Sequence, residues 1–164
     1  GVSLPRQLSV SQDGHLRQNP VEELKSLRDD HTAFSGAVTS DKNQKLFDIR
    51  EGIAEIKLWV RLDSAIKLIL PSGKGEVIRI GCDFVSAGTK KSPWEKKDEH
   101  ELTIFLDRTV IEIFLDDGTC LTSVLPQAIT EGTVEAVAEG GPAEVKADAY
   151  NLRCADLFSK ELFR

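Results

Sequence analysis

The chain has 164 residues, enough for one domain that buries about 70% of the surface its unfolded form exposes. Hydrophobic residues make up 40% and charged residues 29% of the sequence, a balance that is typical of globular proteins and excludes disorder as the main state. The 21 basic and 27 acidic residues give a net charge of -6 and are scattered, which argues against nucleic acid as a partner. No apolar stretch approaches the roughly 20 residues that cross a bilayer, so no membrane association is expected.

The first thirty residues predict a hairpin followed by a linker helix. Residues 3–10 read as a strand, and Asp13-Gly14 supplies the positive φ angles of a tight turn before a short return strand. The helix is predicted to have Asn19 as its N-cap and Pro20 as its first residue, and to end near Arg28. The apolar residues on its predicted buried face are Val21, Leu24 and Leu27.

From Phe34 onward, apolar residues recur at every second position, which is the period of a β-strand. In residues 55–62 the aliphatic side chains share one face, which places Trp59 on the solvent side. Residues 87–100 contain four lysines and Trp94, and they are predicted to form a solvated loop. Further strands are predicted at 65–70, 76–82, 101–106, 110–115, 119–125, 133–138 and 144–152.

Short strands at this spacing, with almost no helix between them, predict an all-β protein. The expected architecture is two antiparallel sheets packed face to face, a β-sandwich of the concanavalin or jelly-roll type. We assign residues 1–30 to the hairpin and linker helix, and residues 31–164 to the sandwich domain. Because the sequence contains no methionine, Gly1 is expected to lie within a longer polypeptide.

The three cysteines, Cys82, Cys120 and Cys154, are predicted to be buried free thiols, with one disulfide and one spare thiol as the alternative. No C-x-x-C pair or nearby histidine accompanies them, so no metal site is expected. Glycine-rich phosphate-binding loops are also missing from the sequence, and no cofactor is expected. Free thiols favour a reducing compartment, and therefore a cytoplasmic location.

No residue stands out as catalytic. Hydrolysis of a glycoside with retention needs two carboxyl groups about 5 to 5.5 Å apart, and Glu112 is the acid whose neighbours are most apolar. Period two turns Glu112 away from those neighbours, so we interpret it as a structural or surface residue. The three histidines are predicted at the surface: His15 in a turn, His31 in a polar connector and His100 beside charged residues.

Aromatic side chains offer a different kind of site. Trp59, Trp94 and Phe105 are candidates for a platform on which a sugar ring stacks, and Trp59 and Trp94 are the candidate substrate-binding residues. An outward tryptophan can equally pack against a neighbouring domain. Two functions therefore stay open: an interface within a larger protein, and an accessory module that binds carbohydrate such as fructan.

Three stretches resemble the C-terminal region of glycoside hydrolase family 32, which contains invertases, levanases, inulinases and sucrose-6-phosphate hydrolases. Residues 4–9 (LPRQLS), followed by the turn at 13–16, resemble the strand and hairpin that close the last propeller blade of that family. Residues 18–28 are similar to its linker helix, and residues 104–118 (IFLDRTVIEIFLDDG) to a hairpin of its sandwich. The sequence departs from the family pattern at Gln7, Thr109 and Asp116, where the family has glutamate, serine and asparagine.

The resemblance implies a parent β-fructofuranosidase that hydrolyses terminal β-fructofuranosidic bonds in sucrose or fructans with retention and without a cofactor. The family's catalytic acids lie in W-M-N-D-P, R-D-P and E-C motifs, none of which occurs here, so no catalytic residue carries over. This chain alone is therefore predicted to be inactive. Its expected partner is the five-bladed propeller of the same enzyme, with contacts in a homo-oligomer as a further role. The isolated domain should then expose an apolar patch near residues 1–28.

Overall fold

The structure, a computed structural model, describes residues 4–153. Cys154 and the remainder of the predicted domain to residue 164 lie outside the described residues. Within the described range, no helix is long and apolar enough to cross a membrane. The strands are β1 (Arg6–Val10), β2 (Leu16–Pro20), β3 (Arg28–Val38), β4 (Gln44–Ile49), β5 (Ile53–Arg61), β6 (Ile66–Ile69), β7 (Val77–Ile80), β8 (Phe84–Ala87), β9 (Lys90–Pro93), β10 (Glu99–Asp107), β11 (Val110–Leu115), β12 (Cys120–Val124), β13 (Gly132–Ala138) and β14 (Ala143–Leu152), and a 3₁₀ helix spans Glu22–Leu27.

The strands form two six-stranded sheets and one separate hairpin. The first sheet has the order β12-β11-β10-β5-β14-β3, the second sheet has the order β4-β13-β6-β7-β8-β9, and β1 pairs with β2 alone. Every pairing is antiparallel. The predicted all-β sandwich is therefore confirmed, together with the short hairpin that precedes it.

The core lies between the two sheets and follows from the period-two pattern. On β5, Ile56, Leu58 and Val60 are buried and face the second sheet, whose strands contribute Leu68 and Ile78 to the same cluster. Each aliphatic side chain of this kind contributes roughly 1.5 to 3 kcal/mol when it leaves water. The alternation therefore fixes which face of each strand points inward.

The linker helix differs from its prediction. Asn19 and Pro20 belong to β2, where Pro20 lies opposite Arg6 of β1, so neither of them starts the helix. Val21 is the N-cap, its side chain makes no capping hydrogen bond, and the helix is a 3₁₀ helix with Leu24 buried. Asn19 cannot cap the helix as predicted, because it pairs with Gln7 in the hairpin. The helix that remains is a six-residue connector between β2 and β3, and short connectors are often 3₁₀.

Residues 87–100 do not form the predicted solvated loop. Gly88, at a φ of 56°, turns the chain between β8 and β9, so the lysine-rich segment begins with a β-hairpin. Trp94 is only 6% exposed, and its indole Nε1 donates a hydrogen bond to the carbonyl oxygen of Gly81 at 3.0 Å. The lysines remain in water while the tryptophan turns inward, a division that the composition of the segment could not reveal.

Candidate functional site

The side chains on the outer face of the first sheet form rows that run across the strands. One row places Glu112, Phe105, Glu55 and Tyr150 side by side on β11, β10, β5 and β14. Since adjacent strands lie about 4.8 Å apart, neighbours in a row are close enough to touch. The next two rows carry Phe114, Thr103, Lys57 and Asp148, and then Glu101, Trp59 and Lys146.

The linker covers the first of these rows. Leu24 of the 3₁₀ helix is buried against Phe105 and Phe114, and the two rings pack edge to face with centroids 6.0 Å apart. Val21 and Leu27 join the same cluster from the linker. This small core is separate from the one between the sheets, and it attaches the N-terminal segment to the sandwich.

Glu112 receives the N-terminal strand. Its carboxylate is 2% exposed and accepts hydrogen bonds from Arg6 Nη2 at 2.9 Å and from the backbone nitrogen of Leu4 at 2.7 Å. The other guanidinium branch of Arg6 donates to Gln18 on the paired strand at 2.7 Å. The interpretation of Glu112 as a structural residue therefore fits its contacts, although it lies beneath the linker and not at the surface.

Glu55 receives the end of the linker in the same way. Arg28 donates from Nε at 2.8 Å and from Nη2 at 2.7 Å, a two-point contact that matches the planar guanidinium to the carboxylate. The guanidinium also lies 4.2 Å from the centre of the Tyr150 ring. The hydrogen bonds that the guanidinium donates to the buried Glu55 carboxylate raise the pKa of Arg28 above its ordinary value.

The buried acids do not form a glycosidase pair. Phe105 separates Glu55 from Glu112 in the row, and each carboxylate is already bound by an arginine. The cleft beside Glu55 has a volume of about 60 Å³, enough for one or two waters but not for a sugar ring. Within residues 4–153, no group of three metal-ligating side chains comes together either.

The histidines take three different positions. His15 is exposed in the hairpin turn, as predicted. His31 is exposed but belongs to β3, where it stacks on Tyr150 and contacts Asp148 Oδ1 at 2.8 Å. The surface prediction for His100 is wrong, because its side chain is buried on the inner face of β10.

The His100 ring is fully engaged in this interior position. Its Nε2 lies 3.0 Å from the carbonyl oxygen of Cys82, its Nδ1 lies 3.1 Å from Asp116 Oδ2, and its face stacks on Trp94 with centroids 3.6 Å apart. The alternation with Leu102 and Ile104 was the signal that could have placed His100 inside. These contacts indicate a packing role.

The candidate aromatic platform is not assembled. Phe105 lies beneath the linker, Trp94 stacks on His100, and only Trp59 is half-exposed on the outer face of the first sheet. The placement of Trp59 on the solvent side is confirmed. Sequence reasoning missed the Arg6–Glu112 and Arg28–Glu55 pairs, whose members are 106 and 27 positions apart, because no local pattern links residues so distant in sequence.

Of the apolar patch expected near residues 1–28, only the hairpin part is exposed, because the apolar side chains of the 3₁₀ helix pack on the sandwich. Leu8, Val10 and Leu16 are 62%, 69% and 59% exposed, and among the described residues only Val124 is a comparably exposed large hydrophobic side chain. The register pairs Val10 with Leu16 and Leu8 with Gln18, so the three apolar side chains share one face. We call these three residues the hairpin patch.

Comparison with known proteins identifies the fold. A family model described as "Glycosyl hydrolases family 32 C terminal" matches residues 23–152. No curated protein matches the chain in sequence. Among solved structures, sucrose-6-phosphate hydrolase from Lactobacillus gasseri aligns with a TM-score of 0.71 and 19% identity over 90% of this chain and 33% of that chain.

Other fructoside hydrolases align in the same manner. Exo-inulinase from Aspergillus awamori aligns with a TM-score of 0.72 and 16% identity over 92% of this chain and 35% of its own. The β-fructofuranosidase BmSUC1 from Bombyx mori aligns with a TM-score of 0.64 and 24% identity over 92% of this chain and 32% of its own. The chain thus spans about a third of each of these proteins, and the likeness to them shows a shared fold. Because the family model matches residues 23–152, most of the sequence, the chain belongs to the C-terminal domain family of glycoside hydrolase family 32.

Proposed function

We propose that this domain is the non-catalytic sandwich of a β-fructofuranosidase, and that it stabilises the catalytic propeller by docking through the hairpin patch. The observation that carries the proposal is the exposure of Leu8, Val10 and Leu16 on one face of the hairpin. A two-stranded hairpin is only marginally stable by itself in water. A cluster of exposed apolar side chains marks a surface made for a protein contact.

The base of the hairpin is fixed to the sandwich, which gives the docking surface a defined direction. Arg6 pairs with Glu112, and the backbone nitrogen of Gln18 donates to the carbonyl oxygen of Gly118 at 2.8 Å. Gly118 has a φ of 87°, and a Cβ there would lie 2.5 Å from the side chain of Arg17. The β11–β12 turn therefore fits closely against the hairpin base.

The reaction is assigned to the partner domain. The parent enzyme would hydrolyse terminal β-fructofuranosidic bonds in sucrose or fructans, with retention, through two carboxyl groups supplied by the propeller. Within the described residues, the two buried acids are already engaged by arginines of the linker, which supports a structural role for this domain. Contacts between copies of the chain are a secondary role of the same surfaces.

We extend the proposal to the compartment of the domain on the basis of its thiols. Cys82 and Cys120 are free and half-buried, which supports a reducing and therefore cytoplasmic environment for this domain.

The experiment compares the chain alone with the chain joined to the catalytic propeller of a family 32 β-fructofuranosidase. We expect the joined protein to release fructose from sucrose or inulin, and the 164-residue chain to release none. Leu8→Ser combined with Leu16→Ser should lower the melting temperature of the joined protein but not that of the chain alone, because the patch is buried only in the joined form.

Val124→Ser is the matched control, since Val124 is equally exposed but lies outside the hairpin. This variant should leave both melting temperatures unchanged. Release of fructose by the chain alone would contradict the non-catalytic role. An equal effect of the hairpin variant on both forms would contradict the docking.

A further inference from the structure

A groove of about 690 Å³ lies on the outer face of the first sheet, next to the part that the linker covers. Asn19 and Pro20 of β2 border it on one side, and Trp59 lies in its floor. The remaining polar lining comes from side chains of adjacent strands, namely Lys57, Glu101, Thr103, Asp116, Lys146 and Asp148. Its volume is in the range of small-molecule sites, which occupy about 300 to 1,000 Å³.

The polar lining combines donors and acceptors of both charges. Lys57 and Lys146 bring two positive charges, and Glu101, Asp116 and Asp148 bring three negative charges. Asp116 contacts Lys97 and His100, and Asp148 contacts His31. Lys57, Lys146 and Glu101 form no ion pair within residues 4–153, so their polar atoms are available to a ligand. A strongly charged ligand would meet like charges in this groove, whereas a ligand with many hydroxyl groups can both donate and accept.

Trp59 adds an apolar surface in the middle of these groups. Its indole is half-exposed, with Lys146 Nζ 5.0 Å and Arg61 Cζ 5.7 Å from the ring centre. Lys146 forms no ion pair within residues 4–153 and sits on a flexible side chain that can move aside for a ligand, whereas Arg61 is paired with Glu99 and Glu144. An aromatic ring surrounded by donors and acceptors matches a pyranose or furanose ring, which has C–H groups on its faces and hydroxyls at its edge.

We propose that this groove is a binding site for an uncharged oligosaccharide that stacks on Trp59. We expect a millimolar affinity, because one stacking surface and a few exposed polar contacts exceed the cost of immobilising the ligand by only a small margin. The choice of fructan as the first ligand to test rests on the proposed function, in which the partner domain acts on fructosides. In that arrangement the groove adjoins the docking hairpin, and ligand sites occur preferentially at such domain boundaries.

The test is a titration of the 164-residue chain with short-chain inulin, levan, sucrose and cello-oligosaccharides, followed by calorimetry and by amide chemical shifts. We expect saturable binding of at least one oligosaccharide, with shifts at Lys57, Thr103 and Lys146. Trp59→Ala should weaken binding by at least about tenfold, because the stacking surface is lost. Unchanged circular dichroism and melting temperature would show that this variant folds.

Phe84→Ala is the matched control, because Phe84 is a half-exposed aromatic residue on the second sheet with Arg79 and Lys91 near its ring. It should bind as the unsubstituted chain does. The proposal is overturned if no saccharide of the set binds at about 10 mM, or if Trp59→Ala binds unchanged. The hairpin variants leave this groove intact, so docking and saccharide binding fail or succeed independently.

Discussion

Glu55 and Glu112 lie on a face that period two assigns to solvent, yet both are buried. The alternation correctly turned them away from the main core. The alternation gives no information on the N-terminal segment, which packs on the outer face of the first sheet and brings Arg28 and Arg6 to these acids. Burial of a carboxylate is costly unless a cation and hydrogen bonds compensate it. The N-terminal segment can therefore cover Glu55 and Glu112 only because it also supplies the two arginines that pair with them.

We predict that Glu112→Gln lowers the free energy of unfolding by about 2 to 4 kcal/mol. The substitution leaves the Arg6 guanidinium, whose side chain is 22% exposed, without its carboxylate. Urea unfolding followed by fluorescence measures the change in the free energy of unfolding.

Glu139→Gln is the control, because Glu139 pairs with Arg79 at the surface, at 2.7 Å. That pairing lowers the pKa of Glu139, but a surface ion pair contributes less than about 1 kcal/mol. Equal losses in the two variants would show that burial adds nothing to the Arg6–Glu112 pair.

Strands with strict alternation are the elements that the sequence predicted best. β11 was predicted at its observed bounds, and β10 and β14 within one or two residues. The β8–β9 hairpin was missed because its strands are only four residues long and β9 is mostly lysine and serine. Such short strands acquire their conformation from the neighbouring strand, and their own composition carries little signal.

Two glycine turns that connect neighbouring strands differ in how closely they are packed. Gly52 connects β4 to β5 at a φ of 72°, and a Cβ there would lie 2.2 Å from the carbonyl oxygen of Ile129. Gly75 connects β6 to β7 at a φ of 60°, and a Cβ there would meet nothing within 4 Å.

Gly75→Ala should therefore cost about 1 to 2 kcal/mol through backbone strain alone. Gly52→Ala should cost at least about 2 kcal/mol more, because the segment around Ile129 must also move. Thermal and urea unfolding of the two variants isolates the steric part. Similar losses would mean that the β4–β5 turn relaxes without cost.

In the whole molecule, the linker is expected to contribute to the stability of the sandwich. The assignment of residues 1–30 and 31–164 as separate units stays a prediction, but residues of the linker share a buried cluster with Phe105 and Phe114. We predict that a chain beginning at residue 29 is less stable by roughly 3 kcal/mol and binds a hydrophobic dye, because this cluster opens to water.

A chain beginning at residue 21 keeps Leu24 and Arg28 and should show an intermediate loss. Urea unfolding measures both truncations against the 164-residue chain. If the chain beginning at residue 29 were as stable as the 164-residue chain, the linker would contribute nothing to the sandwich.

The fold class and the inward face of the long strands could be predicted from the amino-acid sequence alone. These features depend on local periodicity and turn chemistry, which any window of ten residues contains. Its resemblance to family 32 also identified the C-terminal domain family to which the chain belongs, and it led us to expect an exposed apolar patch near residues 1–28.

The burial of Glu55, Glu112 and Trp94, the 3₁₀ form of the linker and the groove around Trp59 could be found only in the folded chain. The buried acids show why, since their partners are distant in sequence: Arg6 contacts Glu112 and Arg28 contacts Glu55. Periodicity assigns a side chain to one of two faces of a sheet. Whether that face meets water, a second sheet or a returning linker is set by packing that only the folded chain brings about.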